Sequence, residues 1–367
     1  MNEGKYEKRH VINQKRYANK IAKKYGNAID GIAKEIARLP IKEGVPFSFS
    51  ECPLYIRVRV NTILRRLQKD IADIILSGVR TEASLADSYV NNSMREFLNE
   101  AVSRHLISIR QREAITASYA YTSVKAALKF AERSVKGLGL SGRVWSFTKM
   151  MKADVELILQ TGIMEGTSAS QLSRKIRNAL KGPAKLFRAV KQPDGTYRLS
   201  KAAKAYHPGQ GVYRSSYKNA LRLVATETNI AYRSSVAQGF ISLPQHDGWE
   251  INLSNNHTCK NPKTGKPEPF FDICDELQSV PGDTTTYYPY DWIHIGWHPA
   301  CRCFAKSYSA RSFELIIDDI LHGTNDRGGN IVVAPRQLEA WKAKSLDRYL
   351  GYATMPYFIA YNQKYFE

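Results

Sequence analysis

Four cysteines fall in one short stretch, two histidines directly beside them: His257-Thr258-Cys259, then Cys274, then His298-Pro299-Ala300-Cys301-Arg302-Cys303. The chain has five cysteines in 367 residues, and the fifth, Cys52, stands alone. Thiols clustered in this way bind a metal, form a disulfide, or staple a segment with little core of its own. Zinc takes four thiolate or imidazole ligands in a tetrahedron. Cys259, Cys274, Cys301 and Cys303 supply such a set, with His298 or His257 able to replace one. The other reading is that the thiols are small buried apolar side chains pinning a long loop. In both readings their role is structural. A catalytic zinc needs an open position and a general base, and Glu276 and Asp291 are near only in sequence.

A second pattern, Asp291-Trp-Ile-His294-Ile-Gly-Trp-His298, has the look of a metal-dependent nuclease loop. The later Asn and His of such a motif are not at the required spacing; His322 and Asn325 fall on a helix end and a turn. His294 is therefore expected to be a hydrogen-bonded polar residue on a strand. Glu227, beside the apolar Val224 and Ile230, is expected to pair with Arg222 or Arg233 or to cap amides of the cysteine loop, with Thr226 supporting the same contact.

The formal net charge is +20, and most of it is local. Residues 1–24 carry eight Lys/Arg against Glu3 and Glu7, and residues 173–222 carry thirteen against Asp194 alone. Concentrated basic segments suit an anionic partner, nucleic acid first. The candidate contacts are Arg174, Lys175, Arg177, Lys181, Lys185, Arg188, Lys191, Arg198, Lys201, Lys204, Arg214 and Lys218, interleaved with Tyr197, Tyr206, Tyr213 and Tyr217. Aromatics among cations stack on bases, or else form the core of a small loop domain.

The elements that must position these groups read as mostly helical. Apolar residues at helical spacing predict helices over 5–38, 55–80, 84–136, 149–165, a short run from Ala169, and 215–240. Pro193-Asp194-Gly195 predicts a β-hairpin, and Trp249-Glu-Ile-Asn-Leu alternates like a strand. Residues 254–304 are loop-rich, 311–322 and 335–350 read as short helices, and the last fifteen residues are aromatic. No uninterrupted apolar run of about 18 residues occurs, so no membrane span is expected. Nor does the start carry an apolar core, so no secretory signal is expected. The expected compartment is then a reducing one, which favours metal over disulfide.

Several of these motifs, taken in order, resemble the phage Mu F-like head morphogenesis family, the minor head proteins of tailed phages. Leu157-Ile-Leu-Gln-Thr-Gly-Ile-Met-Glu-Gly-Thr-Ser168 resembles its helix and Gly-x-Ser turn. Ala225-Thr226-Glu227-Thr228-Asn229 resembles its Thr-Glu-Thr-Asn helix, Trp249 followed by Cys259 its Trp-to-Cys segment, and His298-Pro-Ala-Cys-Arg-Cys303 its closing motif. The likeness covers roughly 140–305. Cys274 departs from it, fifteen positions after Cys259 where the family has a few, and 183–214 looks like an inserted basic hairpin.

The expected fold is α+β and predominantly helical. It has a helical N-terminal region over 1–139 with a basic arm at 1–24. A compact Mu F-like domain over 140–305 follows, with a small β element and the Cys/His loop, and then C-terminal helices over 306–367. The resemblance implies a minor capsid protein that is not an enzyme. It would associate with the portal protein and with major capsid or scaffold protein, in the host cytoplasm during assembly and in the virion afterwards. Contact with double-stranded DNA fits the basic segments. The rival expectation is a metal-dependent nuclease or toxin acting on nucleic acid.

Overall fold

The computed structural model describes residues 3–39, 50, 52–135, 137–164, 189–191, 197–199, 216–254, 258–260, 267–269, 271–298, 301–324, 329–352 and 355–367, a few of these by backbone alone, Cys259 among them. The protein is mostly helical, with a small three-stranded sheet. It divides into two compact units. Unit 1 is residues 1–13, 79–130 and 226–367; unit 2 is 14–78 and 131–225. Neither coincides with one stretch of chain.

Helix α1 is Glu3–Ile36, and α2 is a continuous Leu54–Ser103. The expected gap at 81–83 is closed, because no Pro interrupts the run and Glu82 falls on the buried stripe. The expected helix over 84–136 instead breaks in two places. After α2 the chain turns at His105, in the left-handed region at φ 59°. A capping box from Ser108 to Gln111 then starts α3, Ile109–Ser118. The Ser123 hydroxyl and amide both donate to Asp87 just before α4, Val124–Ala131. Helix α5 runs from Leu140 to Met164, beginning nine residues earlier than expected, within Gly137-Leu-Gly-Leu-Ser-Gly142. The short helix expected from Ala169 lies outside the described residues.

In unit 2 the apolar stripes of α1, α2 and α5 bury Ile21, Ile32, Ile36, Leu64, Ile71, Val144 and Met151. Helix α6, Ser216–Ile241, enters this unit at its start, where Tyr25 Oη donates to Ser216 O at 3.1 Å. Strands β1 (Ala189–Lys191) and β2 (Tyr197–Leu199) form the expected antiparallel hairpin, pairing Lys191 with Tyr197 and Val190 with Arg198.

Unit 1 is built on an antiparallel sheet with β3 (Gly248–Asn252) at its centre, between β6 (Tyr288–Pro289) and β7 (Phe304–Tyr308). Two strands not foreseen, β4 (Thr258–Lys260) and β5 (Pro267–Pro269), pair with Cys259 opposite Glu268. Asp272 caps the short α7, Ile273–Leu277. Helices α8 (Phe313–His322), α9 (Arg336–Leu350) and α10 (Tyr357–Ala360) follow. The aromatic tail is core: Tyr365 and Phe366 pack on Trp292, and Phe358 packs on Trp297 and Trp341.

Candidate metal centre and the polar network behind it

The alternation of β3 buries Trp249 and Ile251 on one face, against α6. Trp249, singled out by its motif, is thus a core residue, edge-on to Phe240 and tilted against His246. Three side chains from three separate segments of the chain hold the backbone of the 290–298 loop. His246 faces Tyr290 O at 2.9 Å, Asn362 brackets Ile293 with bonds to its N–H and C=O (2.8 and 3.1 Å), and Asn229 Nδ2 donates to Ile295 O at 3.2 Å. Gly296 makes the next turn at φ 92°, where a Cβ would lie 2.7 Å from the Cys301 Cβ.

This loop delivers His298 and Cys301 beside the α7 cap. Cys274, Cys301 and Cys303 are buried free thiols whose sulfurs all lie within 4.8 Å of one another. Cys274 and Cys301 are 3.7 Å apart at sulfur. Two thiolates on one ion at metal–sulfur distances of about 2.3 Å in a tetrahedron sit about 3.8 Å apart, so the spacing fits the group. A second set shares Cys274: Asp272, Cys274 and His298 offer ligand atoms within 4.8 Å, with His298 Nε2 3.4 Å from Asp272 Oδ2. A carboxylate on the far nitrogen of a ligating imidazole is the usual way such a ring is oriented. These residues can hold a metal ion. Hydrogen bonding with Cys274 and Cys303 holds the Cys301 thiol well below its usual range, while contact with Cys301 and Cys303 pushes Cys274 up. The side chain of Cys259, and His257, lie outside what the structure describes.

The other sequence candidates separate. Glu276 pairs with Lys344 at 3.0 Å, and Asp291 with Lys364 and Tyr365, so neither faces the thiols as a base. His294 is buried, but in an irregular segment, not on a strand, and neither ring nitrogen has a well-aligned hydrogen-bond partner. Burial and the nearby Arg233 hold its imidazole down at about 3. Thr226 and Glu227 lie on α6, with Glu227 buried. Lys218 is exposed at the start of α6, and Lys191 and Arg198 lie in the hairpin strands. Arg174, Lys175, Arg177, Lys181, Lys185, Arg188, Lys201, Lys204 and Arg214 fall outside the described residues, as does Asn325.

Behind the loop lies a buried polar network that sequence reasoning missed. Asn229 Oδ1 accepts from Arg233 Nε at 2.9 Å and meets His10 Nε2 at 3.1 Å; His10 Nδ1 meets Glu82 at 2.7 Å. His10 also stacks on Tyr232 with ring centroids 4.4 Å apart. The available signal was position. His10 falls in the stripe Tyr6, His10, Asn13, Tyr17, and Glu82 in the stripe Val79, Glu82, Ala86, Val90, so each is a polar residue at a core position. Among the described residues no helix is long and apolar enough to cross a membrane. No protein-family model, no curated protein and no solved structure matches the chain.

Proposed function

We propose that this protein is a minor capsid, head-morphogenesis component of a tailed phage or prophage. In this reading it associates with the portal and with major capsid or scaffold protein, and it contacts packaged double-stranded DNA inside the head. The observation that carries the proposal is the joining of separate motifs. Asn229, of the Thr-Glu-Thr-Asn helix, bonds the loop that leads into His298-Pro-Ala-Cys-Arg-Cys303, and the Trp249 strand pairs with the strand leaving that motif. Residues of the three motifs between Thr226 and Cys303 thus fall in one packed unit, as parts of a single structural module would. The cysteine set is read as a structural zinc site on Cys274, Cys301 and Cys303 with His298 or Cys259 as fourth ligand. Such an ion would stiffen the loop and supply folding energy rather than chemistry. The nuclease alternative would need an accessible ligand set around His294, whose ring is buried.

Purified DNA-filled heads and portal complexes isolated from them provide the test. Detection of this chain in both is the expected result, and heads that lack it overturn the assignment. Elemental analysis of the purified protein is expected to find about one zinc per chain; a folded protein without metal makes the thiols core residues.

A further inference from the structure

The two units differ in charge. Unit 2 carries 31 Lys/Arg against 11 Asp/Glu, which is the whole +20 of the chain, whereas unit 1 carries 23 of each and is neutral. Charge that served only solubility would be spread over both surfaces. Part of the excess lies on α1. Lys15, Arg16, Lys20, Lys23 and Lys34 are exposed, while Tyr17, Ile21, Tyr25, Ile32 and Ile36 are buried. At 100° per residue the five cations fall within an arc of about 140°, opposite the buried stripe, over about 28 Å of helix. None of them forms an ion pair among the described residues; Lys24, off this arc, is the one that pairs with Asp70. Asp30 is the sole carboxylate in the arc.

We propose that the exposed face of α1 from Lys15 to Lys34 is a docking surface for the phosphate backbone of double-stranded DNA. The inference rests on the reading above that the protein contacts packaged DNA, and it identifies a rigid surface for that contact. The basic arm is not a loose tail: it is one side of a 34-residue helix. The face suits phosphates better than a protein partner. Between its cations it presents Asn19, Gly26 and Asn27, with no aromatic or large aliphatic side chain to anchor a protein interface. Phosphate contacts need only positioned charge, and Lys supplies it without reading bases. Binding through this face is sequence-independent and steeply salt-dependent.

The test uses the full chain and duplex DNA of mixed sequence, with affinity measured across a salt series. The variant carries Lys15→Gln, Arg16→Gln, Lys20→Gln and Lys23→Gln, all at exposed positions, with circular dichroism as a check on folding. At about 0.9 per phosphate contact, the slope of log affinity against log salt is expected to fall by about 3 to 4 relative to wild type. A control in the neutral unit, Lys344→Gln with Arg348→Gln, is expected to leave the slope unchanged. If the fourfold variant keeps the wild-type slope, the α1 face is not the surface, while DNA contact itself stands. If the wild-type protein fails to bind, or binds with a flat salt response, both the surface and the DNA reading fall.

Discussion

Asn229 serves three partners, the Arg233 guanidinium, the His10 ring and the Ile295 carbonyl, and all are buried or backbone. Replacing it with alanine strands polar groups where water cannot reach them, which costs about 3 kcal/mol. Thermal denaturation of Asn229→Ala checks this, and a loss under about 1 kcal/mol would show that the network contributes little. His294 sets a pH dependence. Its folded imidazole titrates near 3 and its unfolded ring near 6.5. The unfolded state therefore takes up the proton first as pH falls. The stability held by this group is whole above pH 6.5 and is lost between there and about 3, by up to about 1.4 kcal/mol per unit. His294→Phe, which keeps a ring against Trp297, should flatten the curve of melting temperature against pH in that window; an unchanged curve would assign the acid sensitivity elsewhere. Cys303→Ser is expected to abolish metal retention and lower the melting temperature, with Cys52→Ser as the metal-neutral control. At this scale the sequence disclosed the thiols, because cysteine is rare and clustered. It did not disclose Asp272 or His10, since one carboxylate or one imidazole looks the same whether it faces solvent or a ligand.

Elements were legible where periodicity is long. Helix α6 was expected over 215–240 and runs 216–241, and the β3 strand and the hairpin appear where alternation and Pro-Asp-Gly placed them. What could not be read was how elements meet. Gly239 lies inside α6 at a close crossing: a Cβ there would come within 2.5 Å of Val90 and 2.9 Å of Tyr121. Gly239→Ala should therefore destabilise by about 2 kcal/mol, although alanine is the better helix former; calorimetry showing stabilisation would mean the crossing is loose. Arg311 was likewise silent in the sequence. Its guanidinium bonds Asp247 and Asp319, and also the Pro244 carbonyl, fastening the start of α8 to the edge of β3. Arg311→Ala leaves two buried carboxylates without their cation and should cost about 3–5 kcal/mol in denaturant unfolding.

For the whole molecule, units assembled from distant segments change what can be cut out. A fragment of residues 140–305 holds every motif that suggested a domain, yet it lacks Tyr89, Val90, Met94 and Leu98 of α2, which share one core with Trp249 and Trp292. It is expected to be soluble only as an unfolded or aggregating species, with no cooperative melt; a sharp transition from it would show that the motif region folds alone. The aromatic tail makes the same point at the other end. Tyr6 belongs to the core on which Phe366 packs. That core therefore cannot be completed over Trp292 until the chain has emerged as far as Phe366. Until then Trp292 and Trp297 lack the tail aromatics that cover them, and the nascent chain shows chaperones a sticky surface there.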